Sequence, residues 1–320
     1  MSDSEFVIGI DFGGTKTLVG IFDTSLNLLF HEQIPTHANP QETLPQELDR
    51  LYECIQELKE KAETGGGKLI GIGIDAPGPV DPVKGIVMYS PALFNWNDVP
   101  ITEIINQRYQ VPVKLDKDGN AAALGEFYAG AGKGTQNLVV ITVGTGLGCG
   151  LIFNGKIYHG SNGYAGELGH IFISENGPPC VCGNIGCFEP FVRGARLVEK
   201  ALEGIRAGRK TKITEMVPDL NSITSGIVAE AATDGDALAI EIIEEIGNYL
   251  GIGLVNIINL VTPDKVLIGG GVSQIGELLL TPARNKVRNF AIKCARETVI
   301  EKTYLGSYSG VYGAASLVLK

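Results

Sequence analysis

Twice in this chain an apolar run of strand length breaks at a Gly-Thr turn and resumes as a second apolar run. The first unit spans residues 6–23 around DFGGTK, and the second spans 138–153 around VGTGLGCG. A strand that stops at paired glycines and returns is a hairpin, because glycine takes backbone conformations that other residues avoid. Helical stretches separate such units. Leu44, Leu48, Leu51, Ile55 and Leu58 share one helical face, and Ile240, Ile243, Gly247, Leu250, Leu254, Ile257 and Val261 mark a longer stripe. Strands read at 6–11, 17–23, 26–34, 69–75, 111–115, 137–143, 147–153, 265–269 and 298–303, and further helices near 100–109, 119–130, 281–293 and 310–319. Strands alternating with helices exclude a helical bundle and an all-β sandwich, and predict an α/β protein with mixed sheets. At 320 residues the chain has room for about two domains.

Charge narrows the partners. With 26 Lys and Arg against 36 Asp and Glu, the net charge of −10 argues against a nucleic-acid surface, which needs clustered cations. The longest apolar candidate for a membrane span, Leu250 to Val261, is too short and holds two Asn. The first residues, MSDSEFVIGI, have neither a basic region nor an apolar signal core, so a cytoplasmic location is expected.

Five motifs offer chemistry, and each has a plain structural alternative. In Asp11-Phe12-Gly13-Gly14-Thr15-Lys16 a strand ends in a carboxylate and a turn offers free N–H groups, a hydroxyl and an ammonium. That set suits phosphate oxygens with Mg²⁺ beside them, although a simple β-turn has the same form. Gly144-Thr145-Gly146-Leu147-Gly148-Cys149-Gly150 repeats the pattern at some cost to strand stability, and a bulge is the alternative. Gly269-Gly270-Gly271 follows a strand and would let a flat group lie on bare backbone, or be an ordinary connection. Asp118 follows a strand and opens a helix, which suits either a general base or a helix cap. Last, Glu167-Leu168-Gly169-His170 precedes Cys180, Cys182 and Cys187. One His and three Cys are the ligand count of a tetrahedral structural Zn²⁺, with a reactive thiol cluster or a disulfide as the alternatives.

Taken in order, these residues resemble the ROK family (repressors, open reading frames, kinases), from DFGGTK to YGAASL near the end. ELGH with CVCGNIGCFE is the most specific part. The resemblance implies a two-lobed, actin-like ATPase fold with a cleft. The smaller lobe would be residues 1–117 with the C-terminal helix 306–320 packing back on it. The larger would be 118–305, carrying the zinc loop and the adenosine segment. It implies an ATP-dependent hexose kinase that uses ATP with Mg²⁺ and holds a structural zinc. Zinc would sit on His170, Cys180, Cys182 and Cys187, and sugar hydroxyls on Glu167, His170 and Glu189. Gly78, in the turn Ala76-Pro77-Gly78-Pro79, and Lys117 join the sugar side. Asp118 matches the catalytic base, the two glycine hairpins match phosphate loops, and NIINLVTPDKVLIGGGV resembles the adenosine segment. Lys117 departs from the family, which usually has Asn there; an ammonium beside Asp118 would favour the carboxylate's anion. Glucose is the first expected sugar, ahead of fructose, mannose and N-acetylhexosamines, and a homodimer is carried over from the family. The competing class is a sugar-sensing repressor, which would carry a helix-turn-helix ahead of the DFGGTK strand; here that strand begins at residue 6. A sugar-binding pseudokinase is the third reading.

Overall fold

The computed structural model describes residues 5–320, apart from 38–40, 65, 91 and 95. The chain opens with β1 (Glu5–Phe12), β2 (Lys16–Asp23) and β3 (Leu28–Pro35), followed by α1 (Leu44–Glu63) and β4 (Lys68–Ala76). Three short strands follow, β5 (Val80–Asp81), β6 (Ile86–Tyr89) and β7 (Asn97–Val99), then α2 (Ile101–Tyr109), β8 (Val113–Lys117) and α3 (Asp118–Tyr128). The second glycine hairpin is β9 (Leu138–Val143) with β10 (Leu147–Phe153), and β11 (Lys156–Ile157) comes after it. Next are a helical turn α4 (Glu189–Val192), α5 (Gly194–Arg206), α6 (Ser225–Thr233) and the long α7 (Ala237–Val261). The chain closes with β12 (Lys265–Gly269), α8 (Glu277–Phe290), β13 (Val299–Lys302) and α9 (Ser309–Leu319).

Two compact units result. One is Met1–Gln136, Gly150–Ala165 and Thr303–Lys320; the other is Asn137–Cys149 and Gly166–Lys302. This division runs later in the chain than residue 117, because α3 packs along α9 and stays with the first unit. The first unit carries a mixed sheet of order β3-β2-β1-β4-β8, in which β1, β4 and β8 pair in parallel while β2 runs antiparallel to both of its neighbours, β1 and β3. A second sheet has the order β11-β10-β9-β12-β13, with β9, β12 and β13 parallel. The small antiparallel sheet β5-β6-β7 has no counterpart in the sequence reading.

β1 reads as a continuous apolar run because both its faces are covered. Phe6, Ile8 and Ile10 pack in one cluster with Leu48, Leu51, Ile55 and Leu58 of α1, while Val7 joins Val311 and Ala315 of α9. Helix α9 approaches its neighbours almost backbone to backbone. A Cβ at Gly73 would lie 1.7 Å from the Ala314 carbonyl oxygen, and one at Gly313 would lie 1.7 Å from that of Ala121. Among the described residues no helix is long and apolar enough to cross a membrane.

Candidate active site

In the first unit, β1 delivers Asp11 to the start of the first glycine turn. Gly13 N–H donates to the Lys16 carbonyl at 3.0 Å, and a Cβ at Gly13 would crowd that oxygen at 2.7 Å. Thr36 steadies the turn from behind: its N–H donates to Thr15 O at 3.0 Å and its hydroxyl to Gly13 O at 2.7 Å. Thr17 then donates its hydroxyl to Thr36 Oγ1 at 2.9 Å. Gly14, Thr15 and Lys16 remain exposed, as a phosphate-binding turn requires. Gly78 sits in its turn with φ +102°, and a Cβ there would lie 2.5 Å from Tyr89 O.

The parallel register places Asp11 beside Asp75 and Asp75 beside Asp116, at the carboxyl ends of β1, β4 and β8. Ligands of open α/β sheets gather at these strand ends. The sequence reading missed Asp75 and Asp116; the one signal for Asp75 was an acid closing the apolar run LIGIGI. Asp75 is fully buried, and its oxygens have no donor other than a proton shared with Asp11. The two carboxyls meet at the first turn of α9, where a Cβ at Gly310 would lie 2.6 Å from Asp11 Oδ2 and 3.2 Å from Asp75 Oδ2. Burial pushes Asp11 up to about 6; the hydrogen bond from Asp75 lowers it and the charge of Asp118 raises it. Burial, then the charges of Asp11 and Asp118, hold Asp75 well above the usual carboxylate range.

Asp118 is the first residue of α3, and the N-cap position belongs to Lys117, whose side chain makes no capping bond. Asp118 Oδ1 accepts from Gly119 N–H at 2.7 Å, and the carboxylate is half-buried. Lys117 is only 8% exposed and its Nζ donates to Ala165 O at 3.2 Å. Asp116 is committed to structure. Oδ1 accepts from Lys117 N–H and Asn120 Nδ2, both at 2.8 Å, and His159 Nε2 donates to Oδ2 at 2.7 Å. That bond raises the His159 pKa against the opposing effect of burial. Lys117 and His159 together tie residues 159–165 to the strand end that bears Asp118.

In the second unit, Gly144 N–H donates to Gly146 O at 2.9 Å and closes the second glycine turn, with Thr145 exposed at its tip. The glycine triplet lies beside it. Gly269 ends β12, and Gly270 has φ +79°, with a Cβ there 2.4 Å from Val143 O. Gly271 is exposed. Beyond the triplet a groove of about 890 Å³ is lined by Ile240, Glu244, Ile275 and Leu278 among others. A smaller hollow of about 300 Å³ among Arg284, Arg288 and Arg296 contains none of the expected site residues.

The cysteine loop folds on two isolated bridges, Phe172 to Cys187 and Pro179 to Ile185. It gathers all four expected ligands: the donor atoms of His170, Cys180, Cys182 and Cys187 lie within 4.8 Å of one another. His170 Nδ1 is 3.5 Å from Cys180 Sγ, and Cys182 Sγ is 3.7 Å from Cys187 Sγ. A tetrahedral zinc, about 2.3 Å from sulfur and about 2.0 Å from nitrogen, sets such edges at roughly 3.5–3.8 Å. No disulfide forms among these cysteines. Burial, with the neighbouring thiols adding to it, pushes Cys187 up to about 12, so thiolates share this space well only around a cation. The other ring nitrogen of His170 is turned toward Glu167, with Nε2 3.9 Å from its Oε2; both side chains are exposed. Glu189 opens α4 just after Cys187.

Residues 7–320 match the profile of the ROK family. The chain belongs to the ROK family. It is 35% identical to a glucokinase of Halalkalibacterium halodurans, over 99% of this chain and 96% of that protein. It is 31% identical to the xylose repressor of Caldicellulosiruptor bescii, over 98% of this chain and 78% of the repressor. The crystal structure of a ROK family glucokinase from Streptomyces griseus, in complex with glucose and AMPPNP, superposes with a TM-score of 0.83 at 32% identity, covering 98% of each chain. This ROK chain therefore has the α/β, actin-like ATPase fold expected from its motifs.

Proposed function

We propose that this ROK chain is an ATP-dependent hexose kinase that phosphorylates the 6-hydroxyl of a neutral hexose, with glucose as the first substrate. The observation that carries this reading is Asp118. It stands half-buried at the carboxyl end of a parallel strand, as the first residue of α3, and its charge is felt at Asp11. The likeness to glucokinases along the whole chain supports the choice of sugar. Asp118 takes the proton of the sugar hydroxyl as that oxygen bonds to the γ-phosphorus; the bond from phosphorus to the β–γ bridging oxygen breaks and ADP departs. Such transfer depends on positioning and on neutralising phosphate charge. Gly13, Gly14, Thr15 and Lys16 in the first glycine turn, and Gly144, Thr145 and Gly146 in the second, offer N–H groups, hydroxyls and an ammonium suited to phosphate oxygens. Gly269, Gly270 and Gly271 take the adenosine. Asp11, at the start of the first glycine turn, is suited to the magnesium that accompanies ATP, which would supply further charge neutralisation. Gly78, Glu167, His170 and Glu189 serve the sugar, and Lys117, whose Nζ donates to Ala165 O, steadies the segment that leads into Glu167.

The donor set and its spacing fit a structural zinc on His170, Cys180, Cys182 and Cys187, which would fix the loop that carries His170 and leads into Glu189. Reduced thiols of this kind accord with a cytoplasmic protein, and we take a homodimer as its assembly. The likeness to the xylose repressor favours one alternative, a sugar sensor without turnover. A coupled assay of ADP formation across glucose, fructose, mannose and N-acetylhexosamines separates the two. Glucose should give the highest kcat/KM, and sugar binding with no sugar-dependent ADP formation would discard the kinase.

A further inference from the structure

The expected sugar ligand Glu189 already holds a different partner. Its Oε2 accepts from Leu147 N–H at 2.8 Å, and Leu147 is the residue that leaves the second glycine turn. The turn is built to let this carboxylate in: a Cβ at Gly146 would lie 2.9 Å from Glu189 Oε2. Gly169, in the ELGH segment, flanks it on the other side, where a Cβ would lie 3.3 Å from that of Glu189. The same short segment grips the turn a second time, since Gly194 N–H donates to Gly144 O at 2.8 Å. Glu189 is itself firmly seated. Phe188 N–H donates to Ile171 O at 2.9 Å, and the Phe188 ring is buried against α7 at Gly253, where a Cβ would lie 2.3 Å from it.

We infer that Glu189 is a positioning residue for the second phosphate turn as well as a sugar ligand, and that sugar and nucleotide binding are coupled through its two oxygens. The inference rests on the hexose-kinase reading and extends it. One oxygen fixes the N–H that borders Gly144-Thr145-Gly146, which leaves the other for a sugar hydroxyl. A sugar that orders the carboxylate then orders the turn, and a nucleotide that orders the turn prepares the carboxylate. By linkage the effect is equal in both directions.

Two conservative variants of the zinc-loaded protein separate the bond from the charge. Glu189→Asp keeps the charge but is one methylene too short to reach Leu147 N–H. Glu189→Gln keeps the reach and an accepting oxygen but loses the charge. Calorimetric titration with Mg-AMPPNP is run without sugar and with saturating glucose. In the wild type, glucose should tighten AMPPNP by about fivefold or more. Without sugar, Glu189→Asp should bind AMPPNP about tenfold more weakly than the wild type, the size of one lost hydrogen bond. Glu189→Gln should stay within about twofold of the wild type in that same measurement while its glucose affinity falls. Sugar-free AMPPNP binding in Glu189→Asp equal to wild type would show a sugar ligand only and overturn the inference. Glu189→Gln as weak as Glu189→Asp would overturn it too, because charge rather than the bond would then set the turn. A wild-type protein that binds neither glucose nor AMPPNP would remove the kinase reading itself, and the inference with it.

Discussion

Asp118→Asn separates a base from a helix-terminus residue by magnitude. As a general base, Asp118 should be worth about 10²–10⁴ in kcat, or roughly 3–5 kcal/mol of barrier. As an element of the fold it is worth much less. The Asn side chain keeps an oxygen for Gly119 N–H, which now donates to Asp118 Oδ1 at 2.7 Å. What disappears is a negative charge in the first turn of α3, worth about 0.3–1 kcal/mol at a partly exposed position. Against that loss stands a gain, because the Asp118 charge raises both Asp11 and Asp75, and removing it relieves that repulsion. The two stability effects oppose each other, so the variant should unfold within about 1 kcal/mol of the wild type. Its glucose affinity, measured by calorimetry, should be nearly unchanged, while kcat in the coupled assay falls by at least a hundredfold. With the Asp118 charge gone, Asp11 should titrate below about 6. A kcat within tenfold of wild type at unchanged glucose binding would refute the assignment, and so would a loss of activity that tracks a loss of fold.

Metal analysis of the purified protein should find one zinc per chain, and Cys182→Ser should lower zinc content, melting temperature and glucose affinity together; full occupancy in the variant would count against the site. Gly73→Ala puts a methyl 1.7 Å from the Ala314 carbonyl and should cost about 1–3 kcal/mol or more in chemical denaturation; an unchanged midpoint would mean α9 can retreat. Asp11 stands at about 6 in the fold against an ordinary 3.8, so its stability contribution is complete below 3.8 and is lost as pH rises through 6. Urea unfolding of Asp11→Asn should therefore improve on wild type by up to about 3 kcal/mol between pH 4 and pH 7, and a difference that stays flat with pH would show that Asp11 is not perturbed.

The motifs that were legible in the sequence have their chemistry written in local spacing. DFGGTK needs only a strand end and a turn, and both lie within six residues. The cysteine loop is almost as local: three of its four ligands fall between residues 180 and 187, and only His170 comes from an earlier turn. The stripes at 44–58 and 240–261 became α1 and α7 because a helical face repeats over a few turns and survives any packing partner. The strands came through for a related reason. Runs such as FVIGI are apolar without alternation because helices cover both faces of β1, and that composition is visible before the helices are placed.

What was hidden depends on register and on long-range approach. Nothing near Asp75 in the sequence says that Asp11 and Asp116 will flank it, since the three lie on strands 64 and 41 residues apart that pair only once the sheet forms. The glycines show the same limit. A glycine at a turn is recognised by its neighbours, but Gly73 and Gly313 are glycines because another backbone passes where a Cβ would be. Lys117 shows how such contacts change a reading. Its sequence neighbours suggested an ammonium directed at the sugar and at Asp118. In the fold its Nζ donates to Ala165 O, and one residue back along the chain Asp116 binds His159, so the strand end that presents Asp118 grips the segment leading into Glu167 and His170 at two points. The buried Lys117 head thus meets an acceptor that arrives from 48 residues away. The local sequence names the charge, and only the tertiary fold says what the charge is for.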